Sequence, residues 1–261
     1  NLDREKFVLW LRSILPPGVE QVCGRCCSIR RQGGGFLVGY SAGGSLHTVF
    51  AKQLVGADGA GSVVRSQCFG PLKTRRYVAI QQWFLAKDVA TRPFYSCIFD
   101  PETTDCCAWT IHKDEYLIYG GAFAPKSCRA QFERQKEKLR QYGFPFGEPV
   151  KTEACLVLRP KSPKSFCCGG DGVFLIGEAA GFISPSSLEG ISSAINSAVA
   201  LCESLGEPDP HRAYFQKTRS LRWKLLLKNI KCLGMYQPFF RSLVMASGIT
   251  SIRLFGEGKA R

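Results

Sequence analysis

The pattern of apolar residues predicts a chain that begins with a helix and continues into strands. Apolar side chains recur at helical spacing over residues 3–15, and a Pro-Pro-Gly sequence ends the pattern, so we expect a helix there. Three strand-like runs separated by glycine turns follow and predict a β-meander: residues 19–30, 35–40 and 46–51.

A second group of apolar runs predicts an antiparallel sheet in the middle of the chain. Its strands are expected at residues 77–85, 94–99, 106–112 and 116–121, with a short hairpin loop between the last two. A charged helix over 126–142, closed by Gly143, and a strand over 153–158 complete this part.

A strand, a small-residue turn and a long helix are predicted over residues 172–205. Residues 173–176 are continuously apolar, and the turn that follows is rich in glycine and alanine. Ser186 and Glu189 have capping-box spacing for the helix start. One apolar face is expected along the helix: Ile191, Ile195, Ala198, Val199, Cys202 and Leu205. The start of such a helix favours negative charge, although an ordinary core connection has the same pattern.

An earlier glycine turn carries one acidic residue. Residues 53–65 fit a short strand, a turn containing Asp58 and the start of a helix. Asp58 could accept hydrogen bonds from backbone amides or a hydroxyl, and Arg65, seven residues later, could pair with it. An Asp-Gly turn with a surface arginine is also common without any function.

The charge of the chain points to an anionic partner. The 261 residues carry a formal net charge of +14, which suits a phosphate-bearing cofactor, an acidic lipid surface or nucleic acid. Basic and aromatic residues are too scattered for a nucleic-acid module. Residues 206–261 hold 11 Lys and Arg against 3 Asp and Glu. There, an apolar row with neighbouring lysines fits either a membrane-surface helix or a helix packed on the domain: Trp223, Leu226, Leu227, Ile230 and Leu233.

Thirteen cysteines are best interpreted as reduced thiols of a cytoplasmic protein, because adjacent pairs such as Cys26-Cys27 suit no regular disulfide framework. Cys23 and Cys26 form one C-x-x-C without a second, so we expect no metal site. The sequence shows no secretory signal and no apolar run of membrane-spanning length. Because it begins with Asn1, we expect it to be a fragment.

Two stretches resemble motifs of FAD-dependent monooxygenases and geranylgeranyl reductases. Residues 55–65 resemble GADGxxSxVR, and residues 177–191 resemble GDAAGxxxPxxGEGI. Two weaker similarities point to the reductase branch: residues 107–113 resemble YxWxFPK, and residues 2–7 resemble VxRxxFD. The resemblance covers nearly the whole chain.

This resemblance implies a mixed α/β fold, with helices and both parallel and antiparallel strands. We expect a partial FAD-binding, Rossmann-like domain formed by residues 1–72 and 150–205. An inserted antiparallel-sheet substrate domain is expected at 73–149, and a helical C-terminal region at 206–261.

The resemblance also implies site residues. Arg4, Asp58 and Glu178 would make the polar contacts to FAD, within the loops that contain Gly59 and Ala179. The isoalloxazine edge would be shaped by four residues: Gly181, Pro185, Gly190 and Ile191. Trp109 and His112 would line the substrate cavity, although a core position suits Trp109 equally well. No catalytic residue is identified.

The chain departs from the family pattern in several places. Glu178 stands where the family has Asp, Ser187-Leu188 replaces a small-Gly pair, and Cys107 and His112 replace Tyr and Pro. No GxGxxG turn occurs, so the ADP half of FAD lacks its helix N-terminus here. Either a piece is missing from this chain or it binds FAD poorly.

Three functions follow from this resemblance. The first is reduction of a carbon–carbon double bond in a polyprenyl or other apolar substrate in lipid metabolism, with NAD(P)H or another reductant as the electron donor. The second is hydroxylation by a monooxygenase of the same fold. The third is a flavin-free remnant that binds a lipid or a protein partner. We expect a cytoplasmic protein that associates with the membrane surface.

Overall fold

Three β-sheets and seven α-helices form the described part of the computed structural model, which covers residues 3–86 and 95–246. The helices are α1 (Arg4–Ser13), α2 (Val63–Phe69), α3 (Cys128–Gln141), α4 (Ile191–Cys202), α5 (Pro210–Lys217), α6 (Arg219–Tyr236) and α7 (Pro238–Ala246). The strands are β1 (Arg25–Gln32), β2 (Gly35–Ala42), β3 (Ser45–Ala51), β4 (Leu54–Gly56), β5 (Arg75–Leu85), β6 (Tyr95–Ile98), β7 (Ala108–Lys113), β8 (Tyr116–Phe123), β9 (Lys151–Arg159), β10 (Gly169–Gly170) and β11 (Val173–Leu175).

The first helix and the meander are confirmed. Asp3 caps α1 by accepting a hydrogen bond from the Lys6 amide at 3.1 Å, and no side chain of α1 is buried. Strands β1, β2 and β3 pair in that order and are antiparallel. The predicted first strand began at residue 19, but β1 begins at Arg25, because its partner β2 ends at Ala42 and offers no pairing further out.

A small second sheet joins the two halves of the sequence. Strand β11 pairs parallel to β4, with Val173 opposite Leu54 and Leu175 opposite Gly56. Strand β10 pairs antiparallel on the other side of β11. Both turns singled out in the sequence therefore begin at neighbouring strand ends, which is the usual position of ligands in α/β folds.

The third sheet has five antiparallel strands in the order β6-β7-β8-β5-β9. Strand β9 had been expected in the cofactor-binding part, residues 150–205. It instead pairs along β5 from Arg75–Arg159 to Trp83–Lys151. The start of the predicted strand 94–99, at Phe94, lies outside the described residues, as does the predicted helical tail beyond residue 246. The expected division into domains stays a prediction.

The two faces of this sheet have different neighbours. One face packs on α3, where Phe132 and Leu139 contact a buried cluster that includes Phe84, Tyr119 and Phe123. The opposite face carries Tyr77, Ala122 and Val157, which pack with Ala60 and Ile183 from the two glycine-rich loops. The sheet is thereby fixed against the loops that the sequence singled out.

Helix α4 differs from its prediction in two ways. It begins at Ile191 after Gly190, so Ser186 does not cap it, because residues 185–187 form a turn before the helix. Its buried residues are Ser193, Ser197 and Leu201. The expected core face is largely exposed, with Ile191 at 44%, Ile195 at 48% and Val199 at 52%. Small side chains face inward because the backbone of the 177–180 turn approaches the helix closely, leaving no room for branched residues.

Within the described residues, none of the helices combines the length and apolar character needed to cross a bilayer. The same part of the chain holds no group of three His, Cys, Asp or Glu side chains able to bind a metal ion. All thirteen cysteines carry free thiols.

Candidate functional site

Asp58 organises the first loop. Its Oδ2 accepts hydrogen bonds from the amides of Val63 at 2.7 Å and Val64 at 3.1 Å, and its Oδ1 accepts one from Ser62 Oγ at 2.5 Å. These bonds satisfy the first amides of α2. Asp58 therefore fixes the direction of α2, and the suggested pairing of Asp58 with Arg65 is wrong, because other groups occupy both.

Arg65 joins the two loops. Only 1% of its surface is exposed, and its two terminal nitrogens donate to the carbonyl oxygens of Ala60 and Ala179, each at 2.7 Å. Burial lowers the pKa of Arg65, but arginine remains protonated at any ordinary pH. Ala60 follows Asp58 closely and Ala179 follows Glu178, so one guanidinium sets the spacing of both motifs.

Glu178 connects the second loop to the five-stranded sheet. Its Oε1 accepts a hydrogen bond from the Leu158 amide of β9 at 2.7 Å. Burial raises the pKa of Glu178, while the Leu158 hydrogen bond and the positive charges of Arg65 and Arg4 act in the opposite direction. The carboxylate thus lies where the loop, the sheet edge and α1 come close together.

The turn between Glu178 and α4 packs closely against neighbouring backbone. Gly177 donates its amide hydrogen to Ser197 Oγ at 2.9 Å, which fastens the turn to α4. Gly181 has φ +87°, and a Cβ there would lie 2.2 Å from the carbonyl oxygen of Ser165. Only glycine fits this position. The immediate neighbour of Gly181 is therefore protein backbone; whether it also contacts a cofactor stays a prediction.

Within the described residues, no side chain caps the N-terminus of α4. Gly190 provides no side chain to cap it, and the first amide bonded back into the helix is that of Ala194, which donates to Gly190 O at 2.8 Å. The preceding loop is held by Pro185, whose carbonyl accepts from Arg159 Nε at 3.1 Å and from Cys232 Sγ at 3.4 Å. A helix start with free amides attracts electron-rich groups.

The sheet face nearest the loops carries Trp109. Its indole donates to Gln81 Oε1 at 3.2 Å and covers Gly120, where a Cβ would lie 2.6 Å from the ring. Gln81 in turn donates to Glu153, which also accepts from the indole of Trp83 at 3.0 Å. These polar and aromatic groups form one connected surface on the strands.

His112 does not share this surface. It is three residues from Trp109 on β7 and opposite Leu117, which belongs to the cluster under α3. Side chains alternate between the faces of a strand, so an odd separation places the two residues on opposite sides. The expected cavity containing both Trp109 and His112 is therefore corrected to a surface containing Trp109 alone.

Arg4 is the first residue of α1, and its charge lies near enough to Glu178 to affect the pKa of that carboxyl. The neighbouring Asp3 forms an ion pair with Lys113 of β7 at 3.6 Å. Arg4 thus acts on Glu178 through its charge alone, since the described residues show no hydrogen bond or ion pair between the two side chains.

Sequence reasoning missed Arg159, which is 5% exposed. Besides Pro185, it contacts the carbonyl oxygen of Asp105 at 2.8 Å and the Asp105 carboxylate at 3.1 Å. The only sequence signal for Arg159 was its position directly after the apolar strand predicted over residues 153–158. Gln81 and Glu153 were missed because they are ordinary outward positions until the sheet register is known.

The solved structures with similar folds include a monooxygenase, a reductase-like protein and a flavin-dependent halogenase. The p-nitrophenol 4-monooxygenase PnpA from Pseudomonas putida DLL-E4 has a TM-score of 0.69 at 18% identity, covering 93% of this chain and 65% of that one. A geranylgeranyl bacteriochlorophyll reductase-like protein from Thermoplasma acidophilum has a TM-score of 0.58 at 18% identity, covering 85% and 58%. The flavin-dependent halogenase CmlS has a TM-score of 0.61 at 15% identity, covering 84% and 44%.

These likenesses establish the fold class, and the prediction of a flavoprotein monooxygenase-like fold is confirmed. No protein-family model matches the chain. Protein CbrA of Escherichia coli O9:H4 (strain HS) is 46% identical over 255 residues, covering 97% of this chain and 69% of that protein. Protein CbrA of Shigella sonnei (strain Ss046) is 45% identical, covering 97% and 72%. The chain belongs to the CbrA family.

Replacing Arg65 by lysine should destabilise the chain. One ammonium cannot replace the two-pronged contact, so a buried carbonyl loses its partner and we expect a loss of about 1–3 kcal/mol in the free energy of unfolding. Urea denaturation measures this loss. Arg31→Lys is the control, because Arg31 makes an exposed ion pair with Asp171. Equal effects of the two substitutions would contradict the bridging role of Arg65.

Glu178→Gln should stabilise the chain at pH 7. The raised pKa means that the folded state binds the proton more tightly than the unfolded state, so stability falls as pH rises from about 4.5 through the folded pKa. Glutamine keeps the acceptor for Leu158 without the charge. Each unit of raised pKa corresponds to about 1.4 kcal/mol of stability regained at pH 7.

The pH dependence of unfolding tests this prediction. The advantage of Glu178→Gln should disappear below about pH 4.5. Glu178→Ala, which leaves the Leu158 amide without its acceptor, should lose about 1–3 kcal/mol. A Gln variant less stable than the parent at every pH would refute the argument.

Proposed function

We propose that the chain forms the flavin-facing part of an FAD-dependent oxidoreductase. The observation that carries this proposal is the uncapped start of α4 beside the Glu178 loop. Its free amides suit the electron-rich pyrimidine edge of an isoalloxazine ring, and the helix dipole would favour negative charge there on reduction.

The surrounding residues fit the ribityl half of the cofactor. Glu178 uses one carboxylate oxygen for Leu158, and its other oxygen can accept a ribityl hydroxyl. Arg4 would supply positive charge at the same place, and Gly190 and Ile191 would border the ring. The ADP half fits less well, because the sequence contains no GxGxxG turn. We propose that the part of the CbrA proteins outside the matched region completes this cradle.

When bound, FAD would accept electrons from a reductant such as NAD(P)H and deliver a hydride to the substrate. The chain's own residues would position that substrate. Trp109 presents an aromatic surface whose orientation is fixed by Gln81 and by the space above Gly120. Such a surface suits an apolar chain, and the sequence resemblance points to a polyprenyl or similar carbon–carbon double bond.

A hydroxylase is the second candidate. The PnpA monooxygenase fold matches 93% of this chain with a TM-score of 0.69, so the same site could serve oxygen-dependent chemistry. The two candidates differ in their co-substrates. Anaerobic reoxidation of the reduced protein by a polyprenyl compound supports the reductase, whereas oxygen consumption with an aromatic substrate supports the hydroxylase.

The visible absorption spectrum tests flavin binding. We expect the chain extended to the length of its CbrA relatives to purify yellow, with flavin bands, and the present chain to bind added FAD more weakly. If neither form binds FAD, the oxidoreductase proposal fails and a flavin-free lipid- or partner-binding role is favoured.

Gly190→Asp should weaken FAD binding about tenfold in the form that binds it, since a carboxylate would cap the α4 amides and repel the electron-rich ring edge. There is room for the side chain, because a Cβ at Gly190 would have its nearest neighbour, a carbon of Ile183, at 3.8 Å. Titration of flavin fluorescence measures the affinity.

Gly190→Asn is the matched control for this substitution. It has nearly the same size and can cap the same amides, but it carries no charge, so it should lose no more than about threefold. Equal losses with Asp and Asn would indicate a steric or capping effect in place of charge repulsion, and no loss with either would place the flavin elsewhere.

A further inference from the structure

One face of helix α6 packs on the rest of the described chain, and the opposite face is exposed. Its inner face is packed: Leu225 and Cys232 are buried, Asn229 donates to Pro160 O at 3.2 Å, and Tyr236 donates to Ser186 O at 3.0 Å. The helix is therefore anchored on the loop that precedes α4.

The outer face of α6 is apolar and exposed. Trp223 is 56% exposed, Leu227 58% and Ile230 65%. With about 100° between successive residues, these three lie within about 60° of one another and opposite the buried face. A surface helix normally places polar residues there. Most of the row therefore makes little contact with the described part of the domain.

The apolar row continues into α7, the next helix. Phe239 is 70% exposed, Phe240 53% and Leu243 54%, and the two phenylalanine rings pack edge to face with centroids 5.6 Å apart. Large aromatic and aliphatic side chains of this kind enter the boundary between lipid headgroups and acyl chains. We define the exposed residues of both helices as the α6–α7 surface: Trp223, Leu227, Ile230, Leu233, Phe239, Phe240 and Leu243.

The charge beside this surface has a single sign. Between residues 210 and 246 the chain has eight Lys and Arg residues and no Asp or Glu: Arg212, Lys217, Arg219, Arg222, Lys224, Lys228, Lys231 and Arg241. Lys224, Lys228 and Lys231 lie along one flank of the apolar row, are exposed and form no ion pair with the described residues. An apolar row flanked by lysines matches the boundary of a bilayer, where anionic headgroups border an apolar interior.

We propose that the α6–α7 surface docks on a bilayer that contains anionic lipid. The apolar row enters the headgroup boundary, and the flanking lysines pair with lipid phosphates. Because the inner face of α6 contacts Pro185 and Ser186, docking would hold the loop before α4 one helix diameter, about 10 Å, from the bilayer surface. The lipid contact itself does not depend on flavin binding.

Vesicle sedimentation tests the proposal with the full chain. We expect binding to phosphatidylcholine vesicles that contain about one third phosphatidylglycerol and much weaker binding to phosphatidylcholine alone. The triple variant Lys224→Gln, Lys228→Gln, Lys231→Gln should bind the anionic vesicles about 100-fold more weakly. Its control, Lys52→Gln, Lys126→Gln, Lys164→Gln, removes the same charge from exposed sites elsewhere and should lose less than about threefold.

A second pair of variants tests the apolar contribution. Leu227→Ser with Ile230→Ser keeps every charge and should bind anionic vesicles at least about tenfold more weakly, whereas Leu46→Ser on β3, where Leu46 is 81% exposed, should not change binding. Circular dichroism verifies that each variant remains folded.

Three results would overturn the proposal. They are no binding of the parent chain to anionic vesicles, equal losses for the two lysine triples, and burial of Trp223 without vesicles in the chain extended to the length of its relatives. The last result, seen as a blue-shifted emission that Trp223→Phe removes, would show that a protein segment covers this surface.

Discussion

The bridge made by Arg65 is the contact on which the candidate site depends. Burying a guanidinium is costly unless its hydrogens find acceptors. The two terminal nitrogens of Arg65 find them in the carbonyl oxygens of Ala60 and Ala179, while Nε has no partner among the described residues. These two carbonyls belong to loops separated by more than a hundred residues of sequence. Because Arg65 fixes the spacing of the two loops, Asp58 can cap α2 and Glu178 can accept the Leu158 amide at the edge of β9.

Local patterns in the sequence predicted well those helices and strands that are set by nearby caps, turns and alternation. The helix after Asp3, the meander and the antiparallel sheet follow from caps, turns and alternation, and the structure contains them. The strand–turn–helix character of both motifs was equally visible. What the sequence could not provide was the identity of partners, since Arg65 has no local feature that distinguishes a bond to Ala179 from one to Asp58.

The predicted core face of α4 was wrong because of long-range packing. Apolar spacing on α4 indicated a core face, but the close backbone of the 177–180 turn selected Ser193 and Ser197 for the inside. Strand β9 hydrogen-bonds to β5, and the expected domain boundary at residue 150 stays a prediction. The odd spacing of Trp109 and His112 was available in the sequence and excluded a shared surface, but the family motif had grouped them.

The central claim is that the open start of α4 receives the flavin ring. Hydrogen exchange of the amides in residues 190–195 tests it most directly, measured with and without FAD on the chain extended to the length of its relatives. The account predicts that FAD slows exchange of the Ile191, Ser192 and Ser193 amides while those of Val63 and Val64, already bonded to Asp58, change little. Unchanged exchange at the start of α4 in a protein that has bound FAD would contradict it.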